Sequence, residues 1–119
     1  MDFTQACNHM LSLPEATEGF PFGPDASVYS VRKKMFGLIA VRNGNPWLNL
    51  KCDPEEALFL RDFWEAVVPA YHMNKRHWNS VILNKTIPDA EIERMIDNSW
   101  RLVVKGLPKA QRTRLVLEK

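Results

Sequence analysis

The sequence predicts an α+β fold, a two-layer sandwich in the order α-β(3)-α-β(2)-α, with a mainly antiparallel sheet packed by helices. Three observations predict it. Stretches of helical period and stretches of strand-like alternation are segregated along the chain rather than mixed. The strand-like stretches follow one another through short turns, as antiparallel hairpins do. The length, 119 residues, suits one domain over residues 1–119, which can bury roughly two thirds of its unfolded surface without disulfides or metal.

Each element has its own signal. Asp2 caps a helix over residues 3–12, with Gln5 at capping-box spacing and Pro14 as its stop. Phe3, Ala6, Cys7, Met10 and Leu11 share one face of it. Residues 14–26, PEATEGFPFGPDA, read as a loop because proline and glycine recur. Its Phe20 and Phe22 each gain roughly 1.5–3 kcal/mol by burial, so the loop is expected to fold over the domain edge as a lid. Strands follow at SVYSVRK (27–33), FGLIAVR (36–42) and PWLNLKC (46–52), with turns at Lys34-Met35 and Asn43-Gly44-Asn45. In the third strand Leu48, Leu50 and Cys52 face one way and Trp47, Asn49 and Lys51 the other.

Asp53-Pro54-Glu55-Glu56 opens a second helix that runs to about Phe63, with Leu58, Phe59 and Phe63 as its apolar contacts. Residues 66–70 form a short strand, and Pro69 places it at an edge. WNSVILN (78–84) is a further strand. Ile92, Met95, Ile96, Ser99 and Val103 make one stripe of a helix over 89–105, which Gly106 ends, and KAQRTRLVL follows as a final short helix.

Charge is uneven although the net value is only +2. Residues 1–31 hold four acids and no Lys or Arg, whereas 101–119 are rich in Lys and Arg, and Arg32-Lys33-Lys34 and Lys75-Arg76 are basic clusters. Such runs are solvated faces or a surface for phosphates. Cys7 and Cys52 have no CxxC spacing, so idle thiols in a reducing compartment are expected. The first residues lack a secretory pattern and no apolar run spans a membrane, so a cytoplasmic location and a monomer are expected.

Five stretches carry a family resemblance: LPEATEGFPFG (13–23), VYSVRKKMFGLI (28–39), LNLKCDPEEALFLR (48–61), YHMNKRHWNSV (71–81) and IDNSWRLVVKGLPK (96–109). Over roughly residues 3–115 the chain resembles the MmcQ/YjbR family of small bacterial proteins. The resemblance implies the same compact two-layer fold, similar to secretion-chaperone-like and frataxin-like arrangements. It implies no reaction, no catalytic residues and no cofactor. The usual family label is DNA-binding, by analogy of fold.

The chemically densest segment is YHMNKRHW, residues 71–78. Asn74 suits a tight turn, and Tyr71 and Trp78 suit a core edge. For catalysis, His72 or His77 is a candidate general base, but no nucleophile is evident beside either, and the spacing is nonspecific for zinc; no metal site is assigned. For binding, Arg32, Lys33, Lys34, His72, Lys75 and Arg76 offer phosphate contacts, and Asn74 or His77 offers hydrogen bonds. Trp47 offers a stacking surface. The expectation is a DNA-binding module that uses these nine residues. The alternatives are a chaperone-like module that takes a partner protein through Phe20, Phe22 and Trp64, and an enzyme using His72 or His77.

Overall fold

Among the described residues, period and capping resolve into ten elements: α1 (Phe3–Leu11), β1 (Ala16–Gly19), β2 (Ala26–Val31), β3 (Lys34–Arg42), β4 (Asn45–Lys51), α2 (Pro54–Phe63), β5 (Val67–Pro69), β6 (Trp78–Ile82), α3 (Asp89–Lys105) and α4 (Lys109–Glu118). This computed structural model describes residues 1–70 and 73–118, without the side chains at 113, 114 and 116–118. Expectations placed on Tyr71 and His72 therefore lie outside the described residues. The strands form a single antiparallel sheet in the order β1-β2-β3-β4-β6-β5. No helix among the described residues is long and apolar enough to cross a membrane.

The α+β two-layer reading holds, with β1 added inside the stretch read as loop. Four residues between prolines carry too little alternation to announce a strand, yet they pair with β2 from Ala16↔Val31 to Gly19↔Val28. The β2–β3 turn falls on Arg32-Lys33 rather than Lys34-Met35, with φ of 50° and 67°. Two positive φ values in a row match the twist of a hairpin, and a bidentate ion pair from Arg32 to Glu15 (2.5 and 2.9 Å) braces the unusual backbone. The β3–β4 turn sits on Asn43-Gly44 as expected, and β5 with its Pro69 is indeed an edge strand.

Two groups of apolar residues depart from expectation. In α2 the buried positions are Ala57 and Leu60, whereas Leu58, Phe59 and Phe63 are more than 60 % exposed. The helix covers only the β6–β5 edge, so a narrow side of it meets the sheet and the wide apolar side does not. Phe20 and Phe22 are 52 % and 71 % exposed, and Leu11 is also exposed. The 20–25 segment stands at the border of the sheet instead of closing on the core.

The core lies between the sheet and α1 and α3. Tyr29, Val31, Ile39, Leu48 and Val81 from the strands meet Met10, Ile92, Ile96 and Trp100 from the helices. Two close approaches hold the layers together. At Gly37 an added Cβ would stand 2.5 Å from Met10 Sδ, so glycine there lets α1 sit down on β3. Beside it, Phe36 is the extra residue of a β-bulge: Tyr29 pairs with Gly37 and Ser30 with Met35. The Phe36 carbonyl accepts the Ser99 hydroxyl at 2.6 Å, and Ser99 Oγ accepts the Lys51 N–H at 2.8 Å. Ser99 is fully buried, and its position in an apolar helical stripe follows from this double role. Elsewhere Trp100 Nε1 donates to the Pro14 carbonyl, and His9 meets Asp97 at 2.8 Å across α1 and α3.

Ser99→Ala should cost about 1–3 kcal/mol, because one deletion takes the hydrogen-bond partner from the buried Phe36 carbonyl and from the part-buried Lys51 N–H. Gly37→Ala should cost a similar amount, about 1–3 kcal/mol, through overpacking against Met10. Urea denaturation of each variant checks both; a loss under about 0.5 kcal/mol for Ser99→Ala would mean that water replaces the hydroxyl.

Candidate functional site

Helices α1, α2 and α3 all pack on one face of the sheet, so the other face must manage its side chains without them. Cross-strand register sets out that open face in rows. One row runs Ala40–Trp47–Ile82, the next Leu38–Asn49–Ser80–Val68, and the third pairs Lys51 with Trp78. Of these residues Leu38, Ala40, Trp47, Asn49, Trp78 and Ser80 floor a trough of about 660 Å³ that extends from Met35 to Arg42. The seven steps from Met35 to Arg42 along β3 correspond to about 23 Å of strand. Phe22 from the 20–25 segment rims it, and so do Met73 and Asn74 from the segment before β6. Among the described residues, no helical side chain lines it.

The lining is mostly apolar and polarizable: two indoles, two methionine side chains and Leu38. Its volume falls within the ~300–1,000 Å³ common for ligand sites. Two features interrupt the apolar surface. The Arg42 guanidinium lies over the Trp47 ring, 4.7 Å from its centroid, which places a cation at one end. In the middle of the floor, Ser80 Oγ donates to Asn49 Oδ1, and Asn49 Nδ2 donates to the Leu38 carbonyl at 3.3 Å. Both members of this pair are buried, Ser80 fully.

The segment before β6 is a structured turn. Asn74 Oδ1 accepts the Arg76 N–H at 3.0 Å, and the Asn74 carbonyl accepts the N–H groups of His77 and Trp78. The turn is clamped from α2 by Arg61, whose guanidinium donates to the carbonyls of Lys75 and Trp78 and to Asn79 Oδ1 at 2.6 Å. His77 contributes its carbonyl to the Cys52 N–H at 2.8 Å.

The nine residues read from sequence therefore divide. Trp47 and Asn74 meet in the trough. Lys75 and Arg76 turn toward the start of α2, sharing a shallow groove with Glu55 and Leu58. Lys33 and Lys34 are exposed at the β2–β3 turn, and Arg32 is held by Glu15. The register puts that turn, Lys51 and the 73–77 turn at the same end of the sheet. His72 lies outside the described residues. Sequence reading missed the trough itself, Arg42 and Arg61. Alternation gave the face on which Trp47 lies, but no local signal says that this face is left open by every helix.

The family model described as YjbR matches residues 11–102. The relative named uncharacterized protein YbdF, from Escherichia coli O157:H7, is 39% identical over 105 residues, covering 88% of this chain and 86% of its own. The one named uncharacterized protein YjbR, from Escherichia coli strain K12, is 29% identical over 116 residues, covering 98% of both. The crystal structure of the Deinococcus radiodurans protein DR2400 superposes with a TM-score of 0.88 at 32% identity, over 96% of this chain and 87% of that one.

Neither cysteine is prepared for nucleophilic work. Burial pushes the Cys52 thiol from 9.0 up to about 11, and the charges of Glu56 and Asp53 add to it. Burial also raises Cys7, against an opposing hydrogen bond from Tyr29. Both thiols stay protonated at neutral pH. Alkylation of the native protein at pH 8 should run at least about tenfold slower than in denaturant, read by mass spectrometry. The raised Cys52 value also implies stability that is complete below pH ~9 and declines as pH rises toward ~11, since the unfolded thiol ionises first. A denaturation series across that range checks it.

Proposed function

The chain belongs to the YjbR family, and from that premise we propose that it is a nucleic-acid-binding module. It takes bases of an unpaired strand into the sheet-face trough and holds the backbone phosphates with the cations around the sheet. The observation that carries this reading is the trough, which presents two indoles, Trp47 and Trp78, on one open face with Arg42 at its end. Every base has a π-face, so stacking on a tryptophan is worth about 1–3 kcal/mol whatever the sequence. Lys33, Lys34, Lys75 and Arg76 are the phosphate partners, because all four are exposed at one end of the sheet. Arg32 and His77, and His72 outside the described residues, complete the proposed contact set. DNA is the strand used first in the test.

A partner protein is the second reading, carried by the exposed side of α2, where the rings of Phe59 and Phe63 stack at 5.7 Å. A Phe59→Ser, Phe63→Ser variant separates the two readings, because nucleic-acid affinity should not change in it.

Titration of a short single-stranded DNA against tryptophan fluorescence should give quenching that weakens with salt. Trp47→Ala should lower affinity about 5- to 100-fold. Lys75→Ala with Arg76→Ala should weaken all sequences alike and reduce the salt slope by about 0.7 per lost phosphate contact. Absence of quenching and of amide shifts at low salt would overturn the reading.

A further inference from the structure

The outer side of α2 carries both halves of its own complement. Leu58, Phe59 and Phe63 are each more than 60 % exposed there. Phe63 stacks on Phe59 and meets Trp64 edge-on at 4.8 Å, so the ridge is ordered before anything docks on it. Side chains of this size leave roughly 300–400 Å² of apolar surface in one patch, and a patch of that order on a monomer is often functional.

Charge is divided along the same helix. At its start, the groove beside Pro54 and Leu58 is lined by Arg61, Lys75 and Arg76 against one acid, Glu55. Arg61 is occupied by the carbonyls of the 73–77 turn, whereas Lys75 and Arg76 are exposed. At the far end stand the exposed acids Asp62 and Glu65, with no Lys or Arg between positions 62 and 74. Asp62 is four residues beyond Leu58, one turn on along the same row of the helix, so it borders the ridge on the side of the groove.

A two-fold axis across a helix pair reverses the ends of the helix and keeps its sides. From this we infer that the ridge is the contact face of a symmetric dimer, in which α2 packs antiparallel on α2 of a second copy. Phe59, at the middle of the helix, meets its counterpart at the axis, and Phe63 reaches the partner's helix start. Asp62 of each copy arrives at Lys75 and Arg76 of the other, with Glu65 beside it, and the pairing occurs twice. A parallel arrangement would set acid on acid and base on base, which opposes association. An unrelated partner would have to present an apolar ridge and both charges in this order; a second copy supplies them by symmetry. The inference names the partner for the protein-binding reading above and is independent of strand binding. The ridge is small beside the roughly 800 Å² per partner of a stable complex, so association is weak and reversible. In dilute solution the chain is a monomer, and Lys75 and Arg76 stay open to a strand.

Sedimentation velocity of the full chain, without nucleic acid, from about 10 µM to 1 mM should show monomer giving way to dimer. Phe59→Ser with Phe63→Ser should abolish the dimer; both side chains are exposed, so the fold is kept, as the urea midpoint should confirm. Lys75→Glu with Arg76→Glu should weaken association about tenfold or more, and so should Asp62→Lys with Glu65→Lys. An equimolar mixture of these two charge variants should associate as the unaltered chain does, because reversed charges then meet reversed ones and native charges meet native ones. A chain that stays monomeric up to about 1 mM overturns the dimer. Association that survives the phenylalanine variant, or a mixture no stronger than its components, overturns it equally. Strand binding is read separately, by quenching in dilute protein, so a monomeric chain that quenches leaves the strand reading in place.

Discussion

The double hydrogen bond of Ser99 seats α3 on the sheet, and much of the remaining structure depends on that seat. The hydroxyl supplies a donor to Phe36, which has no partner on either neighbouring strand, and an acceptor to the last residue of β4. One side chain thereby fixes the long helix against two central strands at once. With α3 placed, Ile92, Ile96 and Trp100 cover Ile39 and Leu48, and α1 closes on Gly37 through Met10. The period of a strand is two residues, so burying Leu48 and Leu50 obliges Trp47, Asn49 and Lys51 to face outward. The trough is the other side of the decision that α3 makes.

An open sheet face carries a cost that the structure meets in two ways. Its small and apolar members Leu38 and Ala40 share the trough with Phe22 and the turn before β6 rather than with a helix. Its polar members satisfy one another, Ser80 on Asn49 and Asn49 on the β3 backbone. The outcome is a concave apolar surface that stays hydrogen-bonded at its centre. Arg42 lies above Trp47 at the trough end and orients the indole by a cation–π contact.

The turn at 73–77 shows how tertiary contacts reassign residues that sit side by side in sequence. Asn74 bonds its own turn and faces the trough, while Lys75 and Arg76 face α2. Arg61 enforces the split by holding the carbonyls of Lys75 and Trp78 and the amide of Asn79. Asn79 in turn donates to the Ala57 carbonyl, so α2, the turn and β6 form one unit. The helix packs through Ala57 and Leu60, which leaves Leu58, Phe59 and Phe63 in solvent despite their hydrophobicity.

Much of this protein was determined by local sequence. The Asp2–Gln5 capping box, the Asp53-Pro54 helix start, the Asn43-Gly44 turn and the alternation in β4 are all signals that neighbours within a few residues create, and each appears where it was expected. The apolar stripe of α3 likewise announced itself by period, and family motifs were legible over most of the chain. What only the tertiary structure decided were relations between distant positions: the pairing of β1, which has too few residues to alternate, the placement of the β2–β3 turn on two non-glycine residues, and the narrow footprint of α2. The trough belongs with these. Its floor is drawn from β3, β4 and β6 and its rim from two loops, and each strand shows only that one face differs from the other. Which face is covered depends on where the helices dock, and docking is fixed by contacts such as Ser99 on Phe36 and Met10 on Gly37, between residues 63 and 27 positions apart, which no local pattern records.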